Sequence, residues 1–310
     1  MTVTDPAGDG ASLAAPAVTP PENAFRRLLS DYCESRIAVL AFLVLLAIVV
    51  VALAAPWIAP QDPYDLATVS IFDARQPPGA QSMDGYTFWL GTDGAGRDLL
   101  SAIIYGLRIS LSVGVASAVI AVVVGMTVGL IAAYAGGRTE TLIMRVVDIQ
   151  LSLPAVLIAL MLLAILGKGV DKIIIALVIA QWAYYARTVR ASALSERRRE
   201  YVEAAACLGL SHARIVFRHI LPNCVAPLIV VATVQTAHAI ALEATLSFLG
   251  VGLPQTEPSL GLLISNGFEY MLSGRYWIAV FPGLALLITI VSINMVGDQL
   301  RDVLNPRLRR

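Results

Sequence analysis

Long apolar runs broken by short polar stretches set the pattern of this chain. Ile37 to Ala55 is a clean apolar run, close to the roughly 20 residues that cross a bilayer as a helix. Further runs cover about 107–134, 141–166, 173–188, 226–249 and 277–296. Six spans are expected, all helical, because backbone groups in hydrocarbon need partners within their own segment. The pattern therefore predicts an all-α, polytopic membrane protein. Residues 1–36 read as a cytoplasmic tail, its first two dozen positions rich in Ala, Pro, Thr and Gly and expected to be disordered. After it come a first transmembrane helix over 37–55, an external segment over 56–104, a helical core over 105–300 and a basic cytoplasmic tail over 301–310.

Two processing signals bear on that first run. Arg26-Arg27 resembles a twin-arginine start, and Ala52-Leu53-Ala54 resembles a cleavage site. The apolar run is longer than a usual signal core and a long tail precedes it, so an uncleaved anchor is predicted.

The largest polar break is Arg187 to Asn223, which holds Arg187, Arg190, Arg197, Arg198, Arg199, Arg214 and Arg218. Basic loops between spans stay on the cytoplasmic side, and counting Lys and Arg elsewhere places both termini there too. This loop also carries folding signals. Glu203 stands near a helix start, where negative charge suits the dipole, and Ala204, Ala205 and Ala206 are strong helix formers. Gly209 suits a left-handed helix stop. Ser211 suits a cap for a second helix, and Pro222 fits the first turn of the next apolar one.

Other breaks lie inside the spans. Pro154 should kink the third run. Gly125 and Gly129 form a small-xxx-small pair suited to close helix contact. Gln235, His238 and Glu243 interrupt the fifth run. Charge at the centre of a span costs on the order of 3 kcal/mol, so these side chains should face protein or a water-filled path. For Glu243, lining the path and bonding a neighbouring helix both remain open. Outside the spans, Leu90 to Asp98 reads LGTDGAGRD. Asp93 can cap a turn there and Gly96 permits a tight backbone. An interfacial helix cap is the favoured reading, ahead of substrate contact.

Composition sharpens the class. Of 310 residues, 57% are hydrophobic and 14% charged, against about 25% charged in soluble domains. Mean hydropathy is +0.75 and the formal net charge is zero, so no basic domain suggests nucleic acid. Cys33, Cys207 and Cys224 are widely spaced and suit neither a disulfide framework nor a metal site. The sequence has no phosphate-binding loop, nucleophile elbow or zinc-ligand pair. No catalytic group, metal or cofactor is expected in this chain. It offers a path, and the energy must come from elsewhere.

With those residues in view, a family resemblance carries further. Glu203, Ala204, Ala205, Gly209, Leu221 and Pro222 resemble the EAA loop of bacterial binding-protein-dependent ABC importer permeases. His219 stands where the general pattern has Ile, as in the peptide-importer branch. Gly91, Thr92, Asp93, Gly96, Arg97 and Asp98 resemble an external signature of that branch, and Leu246 to Gly252 extends the likeness. The chain is thus similar to the C-type permease of dipeptide, oligopeptide and nickel importers.

The resemblance implies a type I ABC importer fold and a coupling loop over about 190–222. It also implies a homologous B-type permease, cytoplasmic ATPases that bind ATP and Mg, and an external solute-binding protein. Glu243, His238 and Gln235 become candidates for the path. Peptides are the implied cargo, with nickel, glutathione or another small solute as the alternative. A channel or scaffold working without ATP, and an intramembrane enzyme, belong to different classes. The first would not need Glu203 and Gly209. The second would need a base paired with a nucleophile, and Glu243 has no such partner in the sequence.

Overall fold

The computed structural model describes residues 30–63, 65, 69–82, 85–254 and 256–304. Residues 1–29, with Arg26-Arg27, and 305–310 lie outside the described residues, and the expected carboxyl-terminal tail begins within the last helix. The first long helix, α1 (Arg36–Leu53), starts at Ser35, whose Oγ accepts the Ala38 amide at 3.3 Å. Ile37, Leu40, Leu43 and Leu53 on α1 are more than half exposed, as befits a helix that faces lipid. A helical turn, Ala55–Ile58, follows. The external segment then folds back through a small antiparallel hairpin, β1 (Ala80–Gln81) with β2 (Thr87–Phe88), in which Ala80 faces Phe88.

The central element is α2 (Leu99–Ala135), 37 residues long. Next come α3 (Gly137–Ser152) and α4 (Ala155–Leu166), bent by 92° at their junction. A kink was expected at Pro154, and the result is a corner. Pro154 cannot donate a backbone bond, and its ring forces Leu153 into extended geometry, with ψ of 141°. Helix α5 (Val170–Arg197) leads to the short α6 (Glu200–Cys207). After a turn, His212–Ile215 and a wide π turn, Val216–Ile220, run straight into α7 (Leu221–Phe248). Pro222 lies in the first turn of α7, as expected, though that helix continues from the π turn without a break. It lacks the N–H that a regular helix would direct back to residue 218, which accounts for the wider turn beside it. The chain closes with α8 (Leu260–Phe268) and α9 (Trp277–Leu304).

Each expected span falls on these helices, the one over 141–166 divided between α3 and α4, but their character differs. Four stretches are long and apolar enough to cross a membrane: Arg36–Leu53, Leu99–Ala135, His212–Phe248 and Trp277–Leu304. The bent pair α3–α4 makes a fifth if counted as one. The remaining run lies in α5. Asp171 and Lys172 at one end and Arg187 at the other leave it an apolar stretch of about 21 Å, against roughly 30 Å of hydrocarbon. Ala176, Leu177, Ala180, Ala183, Tyr185 and Ala186 of α5 are buried. One face of this helix is thus covered by protein, while Ile175, Ile179 and Tyr184 are exposed on the other.

The core is the seam between α2 and α5. A Cβ on Gly125 would stand 2.5 Å from the Trp182 carbonyl oxygen, and one on Gly129 would stand 2.6 Å from that of Ala186. The predicted glycine pair is therefore where the two backbones touch. At the inner end of this seam, Leu130, Ala133, Tyr185 and Val189 share a buried cluster with Val202, Ala205, Ile215, Ile220 and Cys224. The polar loop is thereby built into the bundle.

Gly125→Ala is expected to lower stability by about 1–3 kcal/mol through overpacking against backbone that cannot move aside. Gly283→Ala in α9 meets nothing within 4 Å and should be neutral or stabilising by up to about 1 kcal/mol. Unfolding midpoints of the two variants in detergent check the contrast.

Candidate functional site

Three constellations carry the polar residues singled out above. The first is the hairpin of α6 and the turn after it. Arg199 stands at the N-cap of α6, and Glu200 and Glu203 occupy its first turn. Val202 and Ala205 point inward, whereas Glu203 and Ala204 are exposed. Gly209 has φ of +73°, a left-handed value, and donates its amide to the Ala206 carbonyl at 3.0 Å. Ser211 is the N-cap of the next turn, but its hydroxyl makes no capping bond; its carbonyl accepts the Ile215 amide at 3.0 Å. At the tip, Leu208 is 81% exposed.

Polar bonds brace the base of the hairpin. Arg197 donates to the Ala133 and Tyr134 carbonyls at 3.0 and 3.2 Å, closing the end of α2, and its guanidinium lies over the Tyr134 ring. Tyr134 in turn meets His212. Tyr201 donates to Glu196 Oε2 at 2.6 Å, and Asn223 donates to the Tyr201 hydroxyl at 3.0 Å and to the His219 carbonyl at 2.8 Å. Burial, with the Glu196 bond behind it, raises the Tyr201 phenol above its ordinary range. The end of α5, the start of α6 and the start of α7 are thus joined. None of Tyr134, Glu196 and Tyr201 was foreseen in this role, because pairs so far apart in sequence leave no local pattern.

The second constellation is the external signature. Asp93 Oδ1 accepts the Ala95 and Arg97 amides at 2.8 and 3.0 Å, and its Oδ2 pairs with Arg97 Nε at 2.7 Å. Asp98 caps α2, its Oδ2 accepting the Ser101 amide and hydroxyl at 2.8 and 2.6 Å. Burial raises the Asp98 carboxyl even though Ser101 pulls the other way. The same burial and the neighbouring Asp98 push the Tyr86 phenol up to about 12. Thr92 Oγ1 donates to the Asp73 carbonyl at 2.6 Å and accepts the Gln76 amide at 2.7 Å. A Cβ at Gly91 or Gly96 would strike the Gln76 or Ser70 carbonyl oxygen at 2.6 or 2.2 Å. These six residues knot the segment before α2 onto the head of that helix, and Asp93 and Arg97 also edge an open cavity with Glu269 and Tyr270.

The third group is scattered. Glu243 is fully buried, its two oxygens accepting Ser110 and Ser247 at 2.8 Å each, with Ser259 as a further bonding neighbour. Since Ser259 caps α8, the carboxylate ties α2, α7 and α8 together. His238 sits on an exposed face of α7. Only Gln235 reaches a large cavity, about 930 Å³, bounded also by Tyr184, Arg187, Asn223 and Arg301. Asn223 and Arg301 stand near the ends of their helices, whereas Arg187 lies well inside α5.

Comparison with known proteins gives a consistent picture. Residues 125–310 match the family described as the binding-protein-dependent transport system inner membrane component, and residues 22–78 match the N-terminal TM domain of oligopeptide transport permease C. The di/tripeptide transport system permease protein DppC of Pseudomonas aeruginosa is 39% identical over 90% of this chain and 91% of its own length. The oligopeptide transport system permease protein OppC of Bacillus subtilis is 35% identical over 98% and 95%. Among solved structures, the inward-facing MetNI methionine ABC transporter superposes with a TM-score of 0.56 at 18% identity, covering 67% of this chain and 98% of that one. That likeness establishes the fold.

Glu243→Ala leaves the Ser110 and Ser247 hydroxyls without their acceptor, at about 1–3 kcal/mol for each stranded group. It is expected to lower the unfolding midpoint, whereas Glu243→Gln should recover most of the loss. Thermal denaturation of both variants in one detergent checks this.

Proposed function

Given that this chain belongs to the inner-membrane components of binding-protein-dependent transport systems, in the C-type dipeptide and oligopeptide branch, we propose that it forms one half of a translocation path for peptides. It is the permease subunit of an ABC importer and not an enzyme; ATP hydrolysis belongs to a separate subunit, and a binding-protein component completes the system. On our reading the other half of the path is a homologous B-type permease. ATP and Mg bind to the ATPases, and both termini and the hairpin lie on the cytoplasmic side.

The observation that carries the coupling role is the two-sidedness of the hairpin. Val202, Ala205 and Ile215 are buried with α2, α5 and α7, while Leu208 projects from the tip. An apolar residue that far out of the bundle needs a cover, and a motor seated there would grip a part already rigid with two long helices. Closure of the ATPases on nucleotide would then carry the hairpin as a body. Helices α5 and α7 would tilt with it, switching the cavity between inward-facing and outward-facing states. Glu203, Ala204, Ala205, Gly209, Leu221 and Pro222 would serve in this coupling, with Gly209 setting the hairpin angle. A peptide cargo is favoured by the names of the relatives.

Gly209→Pro imposes a φ near −65° where +73° is needed, and Leu208→Asp places charge on the exposed tip. Both, and Glu203→Lys, are expected to insert normally yet lose ATPase co-purification and drop uptake of a labelled dipeptide by about tenfold or more. Normal assembly and uptake in all three would overturn the coupling role. For orientation, a membrane-impermeant maleimide on the exposed Cys207, in a Cys33→Ser background, should label inside-out vesicles and spare right-side-out ones.

A further inference from the structure

The cavity bounded by Gln235 holds an unusual set of side chains for the middle of a membrane protein. Its wall is apolar, with Val230, Val231 and Val234 of α7 along one side. Two arginines, Arg187 of α5 and Arg301 of α9, edge it, and the amides of Asn223 and Gln235 lie at two levels along α7. Twelve residues of helix separate those amides, a path of about 18 Å. Arg187 pairs with Asp148 of α3, yet the two side chains stay 52% and 61% exposed. Among the described residues Arg301 has no ion pair. Arg187 and Arg301 are the charged residues of the lining; Asp148 pairs with Arg187 from outside it, and Asp298 and Asp302 neighbour Arg301 along α9.

Cations so costly in hydrocarbon are kept where water or a ligand meets them. Arginine suits carboxylate, because its planar fork takes both oxygens, a geometry it also offers to phosphate. The length of wall along α7, about 18 Å, exceeds the span of an extended dipeptide, roughly 7 Å. The valine wall suits side chains of varied shape, since it offers contact without directional bonds.

We propose that this cavity is a site for the carboxylate end of a peptide in transit, with Arg187 and Arg301 as its anion contacts and Gln235 as an amide contact. The inference rests on the peptide reading above. Asp148 moderates the grip by holding Arg187 in part, so that cargo is received but not retained. An acidic side chain of the partner permease presents the same chemistry, and the experiment separates the two sources.

The complete transporter, permeases with ATPases but without the binding protein, is purified and exposed to a photoreactive dipeptide with a free carboxyl end. Label is expected in α5, α7 or α9, and unlabelled dipeptide should compete at least tenfold better than the same dipeptide amidated at that end. Arg301→Gln and Arg187→Gln, both at exposed positions, should each shrink that preference about fivefold or more with the subunit composition unchanged. Asp148→Asn should enlarge it. Equal competition by acid and amide, label confined to other helices, or loss of the partner permease from the Arg301→Gln complex would each overturn the inference. A transporter that imports dipeptide yet shows no such preference overturns this site alone. One that imports none overturns the peptide reading and this site with it.

Discussion

The contact of α2 with α5 is the constraint on which the rest depends. Both helices are long, and at Gly125 and Gly129 the backbone of one lies against carbonyls of the other. Between helices surrounded by lipid the hydrophobic effect adds little, so close van der Waals packing at small residues has to supply the attraction. That seam admits an α5 whose apolar stretch is too short to face lipid by itself. It also ends in the cluster that holds the hairpin. A shift of the hairpin relative to the bundle would have to open this packing, whereas a shift of the hairpin together with α5 and α7 leaves it intact.

Polar residues at membrane depth divide into two kinds. Glu243, Ser110 and Ser247 satisfy one another in a closed pocket and bind helices together. Arg187, Arg301, Asn223 and Gln235 open onto a cavity. Cost alone does not separate them, since both groups are expensive in lipid. What separates them is whether packed helices enclose the group, as around Glu243, or leave it on a cavity wall.

That distinction marks how far the sequence could be read. The apolar runs, the glycine pair, the turn at Gly209 and the break at Pro154 all follow from local chemistry, and each lies where the residues themselves imply. The size of the bend at Pro154 does not, because the angle depends on what α3 and α4 pack against. Residue spacing placed Glu243, His238 and Gln235 on one helix but said nothing of which neighbour each would meet. Glu243 found serines 133 positions earlier and 4 later, His238 faces outward, and Gln235 alone lines the cavity. Asp93 caps the turn ahead of α2, as its place in the signature implied, while the cap of the helix itself is Asp98, which the local pattern did not single out.

The alternation of inward and outward positions along α6 has an evolutionary corollary. Val202 and Ala205 answer to the interior of their own subunit, while Glu203, Ala204 and Leu208 answer to whatever lies beyond it. Drift at the outward set leaves folding untouched, so lineages of such proteins are free to exchange motors or refine an existing pairing one substitution at a time. The inward set has no such latitude, and paralogues that diverged in company should still share it.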